Sequence, residues 1–186
     1  MPIPVRFLAV LAVALLAACS DARSPADAPA GGDFVLQSSA GPFDTRVLRG
    51  KVLILFFGYT NCPDICPTFL GNGAQALNRL SAAERARVRL VLVGVDPERD
   101  TPAGLKEYTA FFHPEMIGVT GSPAEIAAVA KLYGAGYVKQ PARPDGSYAV
   151  DHSAQTYVVG PDGRLAATLD LGTPVDKVVD TVRKFL

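Results

Sequence analysis

The sequence predicts an α/β domain with a central mixed sheet flanked by helices, and three features carry that reading. The run Val52 to Phe57 is continuously apolar, as a strand buried on both faces must be, and a second such run spans Val88 to Val95. Segments with helical spacing of apolar residues, opened by proline or capping signals, follow both runs. Near the end of the chain, Thr156–Val159 and Leu165–Leu169 flank Pro161-Asp162-Gly163, the pattern of an antiparallel hairpin. Alternating strands and helices with a hairpin behind them require a sheet of mixed direction.

The elements follow in chain order. Residues 1–18 read as a signal peptide: after Arg6 comes a twelve-residue apolar core, Phe7–Ala18, shorter than the roughly 20 residues that cross a bilayer. The run ends in Leu16-Ala17-Ala18-Cys19, a lipobox-like pattern that makes Cys19 the candidate lipidation site and the first residue of an exported, periplasmic, membrane-anchored lipoprotein. Acylation of Cys19 also accounts for an odd total of three cysteines. Residues 19–32 are Ala-, Pro-, Asp-, Ser- and Gly-rich and read as a flexible tether, with too little apolar surface to offset the entropy of ordering. Residues 33–186 form one globular domain, with neither an internal repeat nor a second boundary.

Within that domain, Phe34–Gln37 and Arg46–Leu48 are expected as an N-terminal strand hairpin around Ala40-Gly41-Pro42. Val52–Phe57 is the central strand. Pro67 suits a first helical position, and Phe69, Leu70, Ala74, Leu77 and Leu80 carry that helix to about Leu80. After the strand Val88–Val95, Thr101-Pro102 and Ser122-Pro123-Ala124-Glu125 start two more helices. The stretch Gly136–Val150 reads as an extended excursion that turns at Pro144-Asp145-Gly146, before the hairpin and a closing helix over Pro174–Phe185. The order β-α-β-α-α-β-β-α, with a cysteine motif where the first strand meets its helix, is the thioredoxin-like arrangement.

Charge excludes one class of partner. Eighteen Lys and Arg balance eighteen Asp and Glu, with no basic run, so no field recruits nucleic acid.

The chemistry centres on Cys62-Pro63-Asp64-Ile65-Cys66-Pro67. Open α/β sheets gather their chemistry beyond the carboxyl ends of the strands, where Cys62 falls. A helix N-terminus there favours thiolate over thiol, which assists both metal binding and thiol exchange. Four positions of separation also allow a disulfide. Proline after each cysteine biases both away from helical backbone, toward a fixed, partly exposed turn. A purely structural disulfide across so short a loop gains little chain entropy.

His152 is the second candidate, with Asp151 beside it, while His113 lies at a predicted helix end. Two thiolates and one imidazole suit copper: Cu(I) accepts soft, low coordination, and Cu(II) would add an oxygen ligand or water. Structural zinc ordinarily takes four protein ligands. Asp96, at the end of the second buried strand, is a candidate outer acceptor or weak extra ligand, and Asp151 a candidate for orienting the His152 ring, although neighbours on a strand face opposite ways.

The motifs Gly58-Tyr59-Thr60 with Cys62-Pro63-Asp64-Ile65-Cys66-Pro67, Val95-Asp96-Pro97-Glu98-Arg99-Asp100-Thr101-Pro102, Ile117-Gly118-Val119-Thr120-Gly121, Val150-Asp151-His152-Ser153-Ala154 and Pro161-Asp162-Gly163 resemble, in this order, the Sco/SenC family of copper chaperones for cytochrome c oxidase assembly. The resemblance implies a membrane-anchored metallochaperone that binds copper, Cu(I) or Cu(II), through Cys62, Cys66 and His152. It implies delivery to the copper A site of cytochrome c oxidase subunit II, or exchange with another periplasmic copper chaperone. It also implies that Cys62 and Cys66, as redox-active thiols, reduce the target's cysteines. The competing readings are an exported thiol-disulfide oxidoreductase without a metal, against which three intervening residues instead of two count modestly, and a thiol peroxidase.

Overall fold

A computed structural model describes residues 29–186. The expected leader, Cys19 and most of the tether lie outside the described residues. Among the described residues, no helix is long and apolar enough to cross a membrane.

The described residues form nine strands and five helices in the order β1 (Val35–Ser38), β2 (Gly41–Asp44), β3 (Val52–Gly58), α1 (Ile65–Arg79), α2 (Ala82–Ala86), β4 (Val88–Gly94), α3 (Pro102–Phe112), β5 (Ile117–Thr120), α4 (Pro123–Tyr133), β6 (Tyr137–Lys139), β7 (Val150–His152), β8 (Gln155–Val159), β9 (Leu165–Asp170) and α5 (Val175–Arg183). Seven strands form one sheet in the order β2-β1-β5-β4-β3-β8-β9. The pairs β3–β4 and β4–β5 are parallel, while β3–β8, β8–β9, β1–β5 and β1–β2 are antiparallel, so the sheet is mixed. The fold is thioredoxin-like.

The apolar runs end up where their composition requires. Every residue of β3 is buried, as is all of β4 except Arg89, because each strand has a neighbour on both edges and helices over both faces. Period-two alternation divides the core. Phe56 stacks on Phe69 of α1 at 4.4 Å between ring centroids, whereas Phe57 turns the other way, edge-on to Tyr157 and tilted against Tyr133 of α4. Burying such a side chain contributes roughly 1.5–3 kcal/mol. α4 begins with a capping box of Ser122 and Glu125 and ends at Gly134 in the left-handed region, φ 65°.

Three departures from the sequence reading have physical causes. The N-terminal hairpin turns earlier than expected, so β2 is Gly41–Asp44 and Thr45–Leu48 is a 3₁₀ turn capped by Asp44 instead of a strand. Pro42 is tolerated there because β2 is an edge strand. Ile117–Thr120 is a strand, β5, that joins β4 to the N-terminal hairpin; its four residues include Gly118, whose absent Cβ lets the Leu105 backbone come close. Finally, Ala30 and Gly31, inside the expected tether, are tied to the domain: Leu165 N–H donates to Ala30 O at 2.9 Å, and Gly31 N–H to Leu132 O at 3.0 Å.

Candidate metal centre

Strand β3 delivers the chain to Gly58, and the cysteine loop begins there. Helix α1 starts at Ile65, two residues before the position expected from Pro67, so Cys66 lies in its first turn. Pro67 is tolerated there because first-turn amides have no intrahelical acceptor and it gives up no hydrogen bond, and the steric bias on Cys66 is a preference that the sulfur-capped first turn overrides. Asp64 occupies the N-cap position without making a side-chain cap. The Cys62 Sγ does that work, accepting the Cys66 N–H at 3.3 Å. Cys66 is completely buried and Cys62 is 8% exposed, more enclosed than the partly exposed turn predicted from the prolines.

Two glycines at matched register make room for this loop. Gly58 pairs with Gly94 across β3 and β4. A Cβ on Gly58 would lie 2.6 Å from Cys66 Sγ, and one on Gly94 would lie 3.0 Å from Asp100 Oδ2. Asp100, only 2% exposed, holds the loop from behind, with its Oδ1 accepting the Thr60 N–H at 3.1 Å and the Thr60 hydroxyl at 2.6 Å.

His152 comes from the far side of the sequence. It lies on β7, opposite Tyr137 of β6, in a two-stranded ribbon separate from the main sheet. The rings of Phe56 and Tyr59 stand edge-on to it, each with centroids 5.8 Å away. Its Nδ1 is 3.2 Å from Ser153 O. A carbonyl only accepts, so Nδ1 carries the proton and the lone pair is on Nε2. That lone pair faces the sulfurs: Nε2 is 3.6 Å from Cys62 Sγ and 3.4 Å from Cys66 Sγ. Burial holds the imidazole pKa below its ordinary value, which keeps the ring neutral and ligand-ready.

The same burial pushes the Cys66 thiol far up, against the thiolate expected at a helix N-terminus. Desolvation outweighs the helix end at this fully enclosed sulfur. In the metal-free protein Cys66 is a thiol, and a metal that binds must displace its proton.

The structure thus brings together Cys62, Cys66 and His152, whose donor atoms all lie within 4.8 Å of one another. Among the described residues no Asp or Glu joins them. The Asp96 carboxylate is buried and engaged elsewhere, by the Tyr148 hydroxyl at 2.9 Å and by Arg99. Asp151 points outward and accepts from Gln140 Nε2 at 2.6 Å, so the ring-orienting contact is the Ser153 carbonyl instead. His113 is buried apart, its Nδ1 accepting the Glu115 N–H at 3.1 Å. The sequence reading gave no role to Tyr59, Arg99, Asp100 or Tyr148; the first three stood inside the family motifs, and Tyr148 had only its place four residues before His152 to signal it.

The donor set fits a soft ion. Sulfur-to-nitrogen separations near 3.5 Å are what one ion about 2 Å from each donor imposes, and two thiolates with one imidazole select copper over harder cations.

This chain is similar to known proteins in sequence and in fold. The chain is similar to the mitochondrial SCO1 homolog 1 of Arabidopsis thaliana, 39% identical over 168 residues that cover 90% of this chain and 50% of that protein. The chain thus spans about half the length of that relative. It resembles the structure of Bradyrhizobium japonicum ScoI with copper bound, with a TM-score of 0.76 and 37% identity over 84% of this chain and 99% of that one. It also resembles BsSco, described as a member of the Sco family of cytochrome c oxidase assembly proteins with a disulfide switch, with a TM-score of 0.65 and 28% identity over 84% of this chain and 93% of that one. The SCO1/SenC family model matches residues 22–186, and the chain belongs to that family.

Proposed function

We propose that this chain is a copper metallochaperone that binds one ion through Cys62 Sγ, Cys66 Sγ and His152 Nε2 and delivers it to the copper A site of cytochrome c oxidase subunit II. The observation that carries the reading is the convergence of three soft or borderline donors from distant parts of the chain, with the imidazole lone pair aimed between two thiols. The copper-bound ScoI relative and the assembly role named for BsSco support it.

Each residue has a distinct part. Cys66 is the inner ligand, enclosed beneath Gly58, and must lose its proton to bind. Cys62 is the outer sulfur, the one an acceptor protein reaches first. His152 closes the set without needing to lose a proton from Nε2. Lipidation of Cys19, with the tether behind it, holds the domain at the periplasmic side of a membrane.

One observation favours a second activity at the same residues. The Cys66 N–H donated to Cys62 Sγ suits Cys62 as an attacking thiolate. Its attack on a target disulfide forms a mixed disulfide and releases one target thiolate. Cys66 then gives its proton to the released target thiolate and, as thiolate, attacks Cys62 of the mixed disulfide to displace the second target thiolate, leaving a Cys62–Cys66 disulfide and a target reduced by two electrons. The same pair could prepare the copper A cysteines before delivering the ion.

Anaerobic Cu(I) titration against a competing chelator tests the reading. The reduced protein takes up one copper per chain, and the Cys62–Cys66 disulfide form takes up none. His152→Ala binds more weakly, by more than the roughly 10- to 100-fold that loss of a residue behind a ligand costs, yet keeps dithiol exchange. Equal copper affinity in wild type and His152→Ala rejects the assignment.

A further inference from the structure

We infer that Arg99 and Tyr148 are positioning residues of the metal centre: they latch the His152-bearing segment to the β4–α3 loop and so hold the imidazole over the two sulfurs. The inference rests on the copper site proposed above and assigns its assembly to residues that do not touch the ion.

His152 needs such a device. The segment Tyr137–His152 contributes no strand to the seven-stranded sheet, and its two strands are three residues each. Ribbons this short are not stable alone. Its intervening residues Pro141–Gly146 are exposed. Something outside its own ladder must set the height of His152 above Cys62 and Cys66.

Besides an exposed ion pair from Lys139 Nζ of β6 to Glu98 at 2.5 Å, the contacts that do so converge on one side chain. The Tyr148 hydroxyl donates to Asp96 Oδ1 at 2.9 Å, the Tyr148 carbonyl accepts from Arg99 Nη1 at 3.0 Å, and the Arg99 guanidinium lies 3.6 Å from the centre of the Tyr148 ring. Arg99 in turn pairs with Asp96 through Nε, which occupies the other carboxylate oxygen. Backbone and side chain of Tyr148 are thus both gripped. Arg99 also sits 5.5 Å from the centre of the Tyr59 ring, and Tyr59 accepts the Val150 N–H on its hydroxyl at 3.3 Å. Tyr59 itself stands edge-on to His152.

The loop that holds the latch also holds the cysteines. Arg99 and Asp100 N–H groups both donate to Asp96 O, closing a turn whose last member, Asp100, secures Thr60 two residues before Cys62. Residues 96–100 therefore grip both ligand-bearing segments, and their rigidity fixes one against the other. Planar stacking with directional hydrogen bonds suits Arg at this place, where Lys would lose the fork.

Two measurements on wild type, Tyr148→Ala, Tyr148→Phe, Arg99→Lys, His152→Ala and the Tyr148→Ala/His152→Ala double variant test the latch. In the metal-free reduced protein, amide hydrogen exchange at Gln140 and Val150 speeds up about tenfold or more in Tyr148→Ala, while the amides of β3 and β4 exchange as in wild type. In Cu(I) competition, Tyr148→Ala and Arg99→Lys weaken binding by about tenfold, and Tyr148→Phe, which keeps the ring, recovers part of the loss. In the His152→Ala background, Tyr148→Ala costs nothing further, because the latch acts through His152. Wild-type exchange at Gln140 and Val150, wild-type copper affinity in Tyr148→Ala, or a loss that adds in full to that of His152→Ala each overturns the inference. If His152→Ala itself binds copper like wild type, the copper site fails instead, and the exchange data alone decide whether the latch exists.

Discussion

The two halves of the candidate metal centre are built differently. Cys62 and Cys66 sit between the end of a fully buried central strand and the first turn of a fifteen-residue helix, enclosed by the Gly58 and Gly94 positions and by Asp100. His152 sits on a ribbon outside the main sheet, and side-chain contacts hold it in place. Stability in proteins is local, so elements with few buried apolar contacts open first. One half is core and the other is docked, so the segment that carries the imidazole should open more readily than the loop that carries the sulfurs. Under the proposed delivery role, a site that takes and gives up an ion would gain from that asymmetry.

Breaking the fixed half should have the largest effect. Phe56→Ala removes a ring that stacks on Phe69 and faces His152, and should lower unfolding stability by about 3–5 kcal/mol in urea titration. The exposed Val138→Ala on the ribbon should change it by less than about 0.5 kcal/mol, and comparable losses at the two positions would dissolve the distinction. Gly58→Ala comes next. Its Cβ would press on the Cys66 sulfur, so the same titration should show a loss of about 1–3 kcal/mol, together with weaker copper uptake. Thr60→Val keeps the shape of the loop and removes the hydroxyl donated to buried Asp100, and should cost about 1–3 kcal/mol, toward the lower end because the Thr60 N–H remains.

The smallest effect concerns pH. Burial lowers the folded-state pKa of His152 below its ordinary 6.5, so the unfolded chain takes up the proton first as pH falls. The stability linked to His152 is complete above about pH 6.5 and declines as pH drops through the folded-state value. Metal-free wild type should therefore lose unfolding midpoint between about pH 7.5 and about pH 5.5 more steeply than His152→Ala. Parallel declines would mean that the ring is not buried as described.

The sequence revealed the fixed half far better than the docked half. The unbroken apolarity of Val52–Phe57 and Val88–Val95 announced a buried sheet, and Ser122 with Glu125 announced a capped helix, because periodicity and capping are local signals. β5 escaped because four residues with a glycine make too short a pattern. The start of α1 was misplaced because proline fits any position of the first turn, not the first one alone, and a cysteine sulfur served as the cap. Cys62 and Cys66 stood out by spacing, whereas His152 became specific only beside the other family motifs. Arg99, Asp100 and Tyr148 were invisible as site residues, since their contacts cross 40 to 52 positions of sequence and no local rule predicts such pairs.

The central claim is that these three side chains share one copper ion, and X-ray absorption at the copper edge of the loaded, reduced protein addresses it most directly. Two sulfur scatterers and one histidine nitrogen per copper are predicted, with the nitrogen contribution lost in His152→Ala. An unchanged spectrum in that variant, or a wild-type spectrum that lacks the two-sulfur shell, would contradict it.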